Sequence, residues 1–201
     1  MKTLGAATAA VAFVPWLSDE GLRAFAEIQA TTAPAKRLVL SPAQFATLEA
    51  LVETIIPADE QSPGAKDARV ADYIDLLLNE TDDATRLQWM GGLAELDEEA
   101  AARFKRPFRA LTPAQMEKVV AGIARNEQSP RTPVETFFVT VKTVTIQGYY
   151  TSEIGIHREL RYQGNKMLPE FVGCQTENGK DCPHCKQQAG RTGAAEIMHA
   201  D

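Results

Sequence analysis

Cys182-Pro-His-Cys185 is the one place in the chain where residues of metal or thiol chemistry stand at a spacing such chemistry uses. With His199, the set Cys182, His184 and Cys185 has the ligand types of a metal site, although a single CxxC lacks the second pair of a full zinc motif. In an oxidising compartment the same spacing suits a local Cys182–Cys185 disulfide, which leaves Cys174 over for a bond to another chain. Covalent haem attachment is excluded, because Lys186 stands where a His is required directly after the second Cys. His157 is the one remaining histidine, and its neighbours Ile156, Arg158 and Glu159 suit a surface or interface rather than a general base. The adjacent carboxylates Asp59-Glu60, Asp82-Asp83 and Asp97-Glu98-Glu99 flank helix ends or exposed faces and read as solvated charge. No glycine-rich phosphate loop, GxSxG elbow or HExxH pair is present, so no catalytic or cofactor-binding residues are assigned to the chain itself.

The positions around these residues must be set by helices. Leu40-Ser41-Pro42-Ala43-Gln44 supplies a staple hydrophobe, an N-cap hydroxyl, Pro at the first helical position and Gln at the third. Phe45, Leu48, Leu51, Val52, Ile55 and Ile56 then form one face, which ends at Pro57. Leu111-Thr112-Pro113-Ala114-Gln115 repeats the device ahead of Met116, Val119, Val120 and Ile123. It reads as one capping solution used twice, since no longer period continues beyond it. Val70, Tyr73, Ile74, Leu77 and Leu78 mark a helix after the turn Gln61-Ser62-Pro63-Gly64. Leu87, Met90, Leu93, Ala94, Leu96, Ala101 and Phe104 mark another, in which Gly91-Gly92 implies a kink or a close helix contact. The run from Val134 to Tyr150 has the composition of a strand, yet Val134, Phe137, Phe138, Val141, Val144 and Thr145 fall on one side of a helix. The expected fold is all-α: a compact, bundle-like set of helices with extended N- and C-terminal segments.

The 201 residues divide on this reading into a signal-like segment and linker (1–37), a helical domain (38–175) and a Cys/His-containing tail (176–201). Met1 to Leu17 has one Lys and then an apolar run of signal-peptide length, too short to span a membrane. KTLGAATAA is similar to the segment after the arginines of twin-arginine signals, and the missing Arg pair leaves two alternatives: a start that lies upstream, or export that is not direct. The competing reading is an amphipathic helix docked on the domain, with Trp16, Leu17, Leu22 and Phe25 along one face. Glu27 to Arg37 reads as linker. A net charge of −6, with Lys and Arg scattered, offers no footprint for nucleic acid or an anionic membrane. Tyr149, Tyr150, Thr151, Ile154, His157, Arg158, Arg161, Tyr162 and Cys174 combine Tyr and Arg in the manner of protein interfaces and make up the expected partner surface, although a core position is an equally ordinary reading for two of the tyrosines.

Ile56-Pro57-Ala58-Asp59, Gly64-Ala65, Val70 to Leu77, Gly148-Tyr149-Tyr150-Thr151-Ser152, Leu160 to Gly164 and Gly173-Cys174 together resemble the gluconate 2-dehydrogenase subunit 3 family, over roughly residues 40 to 175. The resemblance implies a small, non-catalytic subunit of a periplasmic sugar or sugar-acid dehydrogenase. It also implies a large partner of the glucose-methanol-choline type that holds FAD and the catalytic His, and a cytochrome c or other carrier as electron acceptor. The small subunit would carry the twin-arginine signal and act as a chaperone that takes the folded catalytic subunit across the membrane. The alternative is a stand-alone periplasmic metal- or redox-active protein that uses the CPHC tail.

Overall fold

The computed structural model describes residues 16–164. The all-α expectation holds: among the described residues there are six α-helices and no strand. The helices are α1 (Asp19–Gln29), α2 (Pro42–Ile55), α3 (Val70–Glu80), α4 (Asp83–Phe104), α5 (Pro113–Ile123) and α6 (Pro133–Thr151), and a π-helical turn comes after them at Gly155–Glu159. All fall in the first of two units into which the chain divides, Met1–Tyr162; the second, Gln163–Asp201, lies almost wholly outside the described residues. The expected leader up to residue 15 and the boundary at residue 175 lie outside them too.

The caps form as their residues dictate. At α2 the Gln44 N–H donates to Ser41 Oγ at 3.4 Å and the Ser41 N–H donates back to Gln44 Oε1 at 3.0 Å. Gln115 closes the start of α5 in the same way, accepting from the Thr112 N–H at 3.0 Å. Thr132 and Glu135 form a third box at α6, where the Glu135 carboxylate also accepts from the Arg131 N–H at 2.6 Å and the Asn126 side chain at 2.7 Å. That box is what makes a β-branched run helical. It satisfies the orphan donors of the first turn, and burial of Phe137, Phe138, Val141 and Val144 overrides the weak intrinsic propensity.

α2 and α6 lie at the centre, with α3, α4 and α5 packed around them. The apolar stripe of α4 is Trp89, Leu93, Leu96 and Ala100, at helical spacing. Leu87 and Ala94, which the sequence placed on that stripe, point outward, and Leu87 is 68% exposed. Leu93 and Leu96 of the expected face are buried, and Trp89 and Ala100 complete the stripe. Gly91-Gly92 produces a close contact rather than a break. A Cβ on Gly92 would strike the ring of Phe137, which stands edge-on to Trp89 at 5.6 Å, whereas one on Gly91 would meet nothing.

The N-terminal region differs most from expectation. Residues 19–29 form a helix docked on α3, so the linker reading fails for Glu27 to Gln29. Phe25 is buried and meets Tyr73 edge-on at 5.2 Å. Ser18 caps α1 and donates through both N–H and hydroxyl to the Glu80 carboxylate, at 2.8 and 2.7 Å. The Arg69 guanidinium donates to the carbonyls of Ile28, Thr31 and Ala33 at 3.0–3.1 Å, completing the orphan acceptors beyond the end of α1. Leu17 and Phe25 supply the buried side, while Trp16 and Leu22 stay exposed.

Candidate partner-binding surface

Two sequence elements separated by about ninety residues meet at the C-terminal end of α6. The first is the loop after α2. Asp59 Oδ1 accepts from the Gln61 and Ser62 N–H groups, both at 2.8 Å, and its own N–H donates to the Ser62 carbonyl at 3.0 Å. Glu53 fastens both sides of the loop, accepting from Ala58 at 3.2 Å and Lys66 at 2.8 Å. The turn so made presents Ser62 and Pro63 to the second element. There the Tyr149 hydroxyl donates to the Pro63 carbonyl at 2.8 Å and lies 2.7 Å from Ser62 Oγ.

Tyr149 is therefore a buried strut and not a surface anchor: it is 2% exposed, and burial raises the pKa of its phenol. Gly148, one residue earlier, lets α6 approach α3, since a Cβ there would lie 2.8 Å from the Tyr73 ring. Tyr150 stacks edge-on to Tyr149 at 5.3 Å and remains 39% exposed. Thr151 turns its hydroxyl back to the Gln147 carbonyl at 2.9 Å. Ser152, wholly buried, ends the helix: its Oγ donates to the Tyr149 carbonyl at 2.6 Å and accepts from the Gly155 N–H at 3.0 Å. The chain then enters the π-turn. Gln29 of α1 reaches across to this corner and accepts from the Glu153 N–H at 2.8 Å.

Of the residues placed on a partner surface from sequence, Tyr150 is exposed on α6, and His157, Arg158, Arg161 and Tyr162 are exposed on and after this turn. Ile154 and Thr151 are half-buried, with Ile154 packed against the core. Cys174, the Cys182–Cys185 pair, His184 and His199 lie outside the described residues. Sequence reasoning missed Ser152 and Gly155 as the makers of the turn, and Leu160 as an exposed apolar neighbour at 58%. Ser152 with Gly155 three residues later is a capping pattern, and it was available in the sequence.

The acidic pairs are also committed locally. Asp82 caps α4 through the Thr85 N–H at 2.7 Å. Asp97 accepts from the Phe108 N–H at 2.8 Å and from Arg109 at 3.1 Å, which ties the 3-10 turn Phe108–Ala110 to α4. Among the described residues, no group of three or more His, Cys, Asp or Glu stands together to hold a metal, and no helix is long and apolar enough to cross a membrane.

Backbone donors hold the carboxyls of Asp59, Asp82 and Glu135 below the usual carboxylate range, the Gln61, Thr85 and Arg131 N–H groups respectively contributing most. A depressed folded-state pKa means stabilisation that is complete above the unfolded value and is lost as pH falls through the folded one. The domain is expected to hold its melting temperature down to about pH 5 and lose it progressively below about pH 4, where unfolded carboxylates take up protons. Asp59→Asn keeps an acceptor oxygen but cannot titrate, so it should flatten part of that fall; thermal melts of both proteins between pH 3 and 7 would check this.

Comparison with known proteins found no curated protein and no solved structure that matches. Residues 42–169, well over half of the chain, do match a family description, and the match includes both the loop after α2, with Ser62 and Pro63, and the Tyr149 corner that the structure brings together. On that match, the chain belongs to the gluconate 2-dehydrogenase subunit 3 family.

Proposed function

We propose that the chain is the non-catalytic small subunit of a periplasmic, FAD-dependent dehydrogenase of sugars, glycosides or sugar acids, with a large catalytic partner of the glucose-methanol-choline type. Membership of a dehydrogenase-subunit family carries this reading, and the domain's own chemistry supports it. The carboxylates and hydroxyls at the joined motifs shape a loop and a helix end, and the exposed residues beyond them are Tyr, Arg, His and Leu, the composition of a contact surface. FAD and the hydride chemistry belong to the partner, with a cytochrome c as an acceptor of its electrons. The small subunit supports the partner's folding and stability and, with a twin-arginine signal, its export. The apolar, signal-like composition of the run before α1 supports the export step.

The test is recovery of the C-terminally tagged chain, expressed from its native locus, from the periplasmic fraction. A larger flavoprotein with FAD absorbance and sugar-dependent dye reduction is expected to come with it, linked through Cys174 on non-reducing gels. Recovery of the chain alone, or sugar oxidation by the chain without a flavoprotein, would overturn the reading. A complex confined to the cytoplasm would overturn its export half.

A further inference from the structure

Three charged side chains on and beside α3 hold the N-terminal stretch, and each grips backbone groups. Glu80, the last residue of α3, accepts from the Ser18 N–H and hydroxyl ahead of α1. Arg69, just before α3, donates to the carbonyls of Ile28, Thr31 and Ala33 and is itself steadied by Asp72, whose carboxylate accepts from its Nε at 2.8 Å. Asp75, between them, accepts from the Leu38, Val39 and Leu40 N–H groups. Four residues, Pro34 to Arg37, separate the last carbonyl on Arg69 from the first amide on Asp75, and none of the three posts bonds to their backbone.

The two sides of that gap are held differently. Leu38 to Leu40 run into the capped start of α2, and Leu40 is buried. On the other side α1 packs chiefly on α3, and Phe25, with Leu17 just ahead of the helix, supplies its large buried side chains. Asp19, Glu20, Leu22, Arg23, Ala26 and Glu27 of the same helix face water. A helix of 11 residues is marginal on its own in water, so α1 stays helical only while docked, and undocking and unwinding are one event. α3 does not depend on α1 in return, because Val70, Ile74, Leu77 and Leu78 are buried and α3 packs on α2 and α6 as well.

We infer that residues 18–33 are a strap that opens as one unit, about a hinge at residues 34–37, from a domain that stays folded. Opening takes the Gln29 oxygen away from the Glu153 N–H and Phe25 away from the ring of Tyr73. The strap therefore couples the N-terminal stretch to the corner at the end of α6. Closed, it fixes Glu153 just ahead of the π-turn; open, it leaves that N–H to water and uncovers a ring that is otherwise wholly buried. The movement belongs to the chain alone and needs no partner.

Amide hydrogen exchange of the full chain, followed residue by residue by NMR, tests the strap. The amides from Leu22 to Gln29 are expected to share one opening equilibrium, roughly a hundredfold more open than that of the buried turns of α2 and α6. Glu80→Ala removes a post at one end of α1 and Arg69→Ala at the other. Each is expected to raise exchange about tenfold across the whole of that stretch and at Glu153, while α2 and α6 keep their wild-type rates. Glu80 is exposed, so Glu80→Ala alone decides the matter where Arg69→Ala does not fold. A rise confined to Leu22 and Arg23 in Glu80→Ala would overturn the inference, because it reports an end that frays. Exchange of α1 in step with α2 and α6 in the wild type would overturn it too, because α1 would then open only when the whole domain does.

Discussion

Replacing Asp75 by Ala is expected to lower the stability of the domain by about 3 kcal/mol, a fall in melting temperature of roughly 10 °C for a domain of this size. Asp75 sits on α3, 3% exposed, between Ile74 and Leu76. Its carboxylate accepts three successive backbone N–H groups, from Leu38 at 2.6 Å, Val39 at 3.2 Å and Leu40 at 2.9 Å. These donors belong to the extended segment that delivers the chain into the α2 cap, and Leu40 is itself buried. Truncation removes every acceptor at once and leaves donors that water reaches poorly, which costs more than a lost surface bond. Asp75→Asn should fall between, because one oxygen still accepts while the new amide opposes a donor. Thermal and urea melts of the three proteins decide the matter; an Ala variant within 0.5 kcal/mol of wild type, on the order of an ordinary surface change, would show that the segment is held by packing instead.

Asp75 also marks the limit of what the sequence discloses. The capped starts of α2 and α5 were legible because the cap and the groups it satisfies are three residues apart. The faces of α2 and α3 were legible because their apolar period is regular. α4 was placed correctly as a helix, with Leu93, Leu96 and Phe104 on its inner side as expected, but Leu87 and Ala94 continue an apolar pattern that the tertiary packing leaves outside. α6 was ambiguous in composition and resolved by spacing. α1 was legible only as the weaker of two readings. Its docking depends on Arg69, Glu80 and Glu153, which stand some forty to a hundred and twenty residues away, and no local pattern announces such partners.

The surface shows the same division. The exposed tyrosine and arginines around the π-turn are evident from composition. The inward role of Tyr149 is not, since Tyr149 and Tyr150 are chemically identical neighbours, and only the helical phase relative to Ser62 separates the strut from the exposed ring. Asp59 read as solvated charge because its carboxylate is open to water; its work is done on the backbone of its own loop.

Gly155→Ala is expected to cost about 3 kcal/mol and to remove partner binding with it. A Cβ at this position would be driven into the Tyr149 carbonyl oxygen, and would also lie 2.8 Å from the Tyr149 carbonyl carbon and 2.9 Å from Tyr150 Cα. All three are backbone atoms, so no side-chain rotation relieves the contact; the π-turn must open away from α6. Opening it breaks the Gly155 N–H to Ser152 Oγ bond and leaves a buried backbone donor without its acceptor. Displacement of the turn carries His157, Arg158, Arg161 and Tyr162 away from Tyr150, so the end of the proposed contact surface is dismantled even where the domain stays folded. Gly91→Ala is the matched control, since a Cβ there meets nothing and Ala in a helix interior is favoured over Gly by up to about 1 kcal/mol. The measurement is a paired one: melting temperature of each isolated variant, and flavoprotein recovered at a temperature where both are folded. A Gly155→Ala protein that melts with the wild type and still recovers the flavoprotein would show that the turn is neither tight nor part of the interface, whereas lost recovery from a folded variant places the partner on this corner.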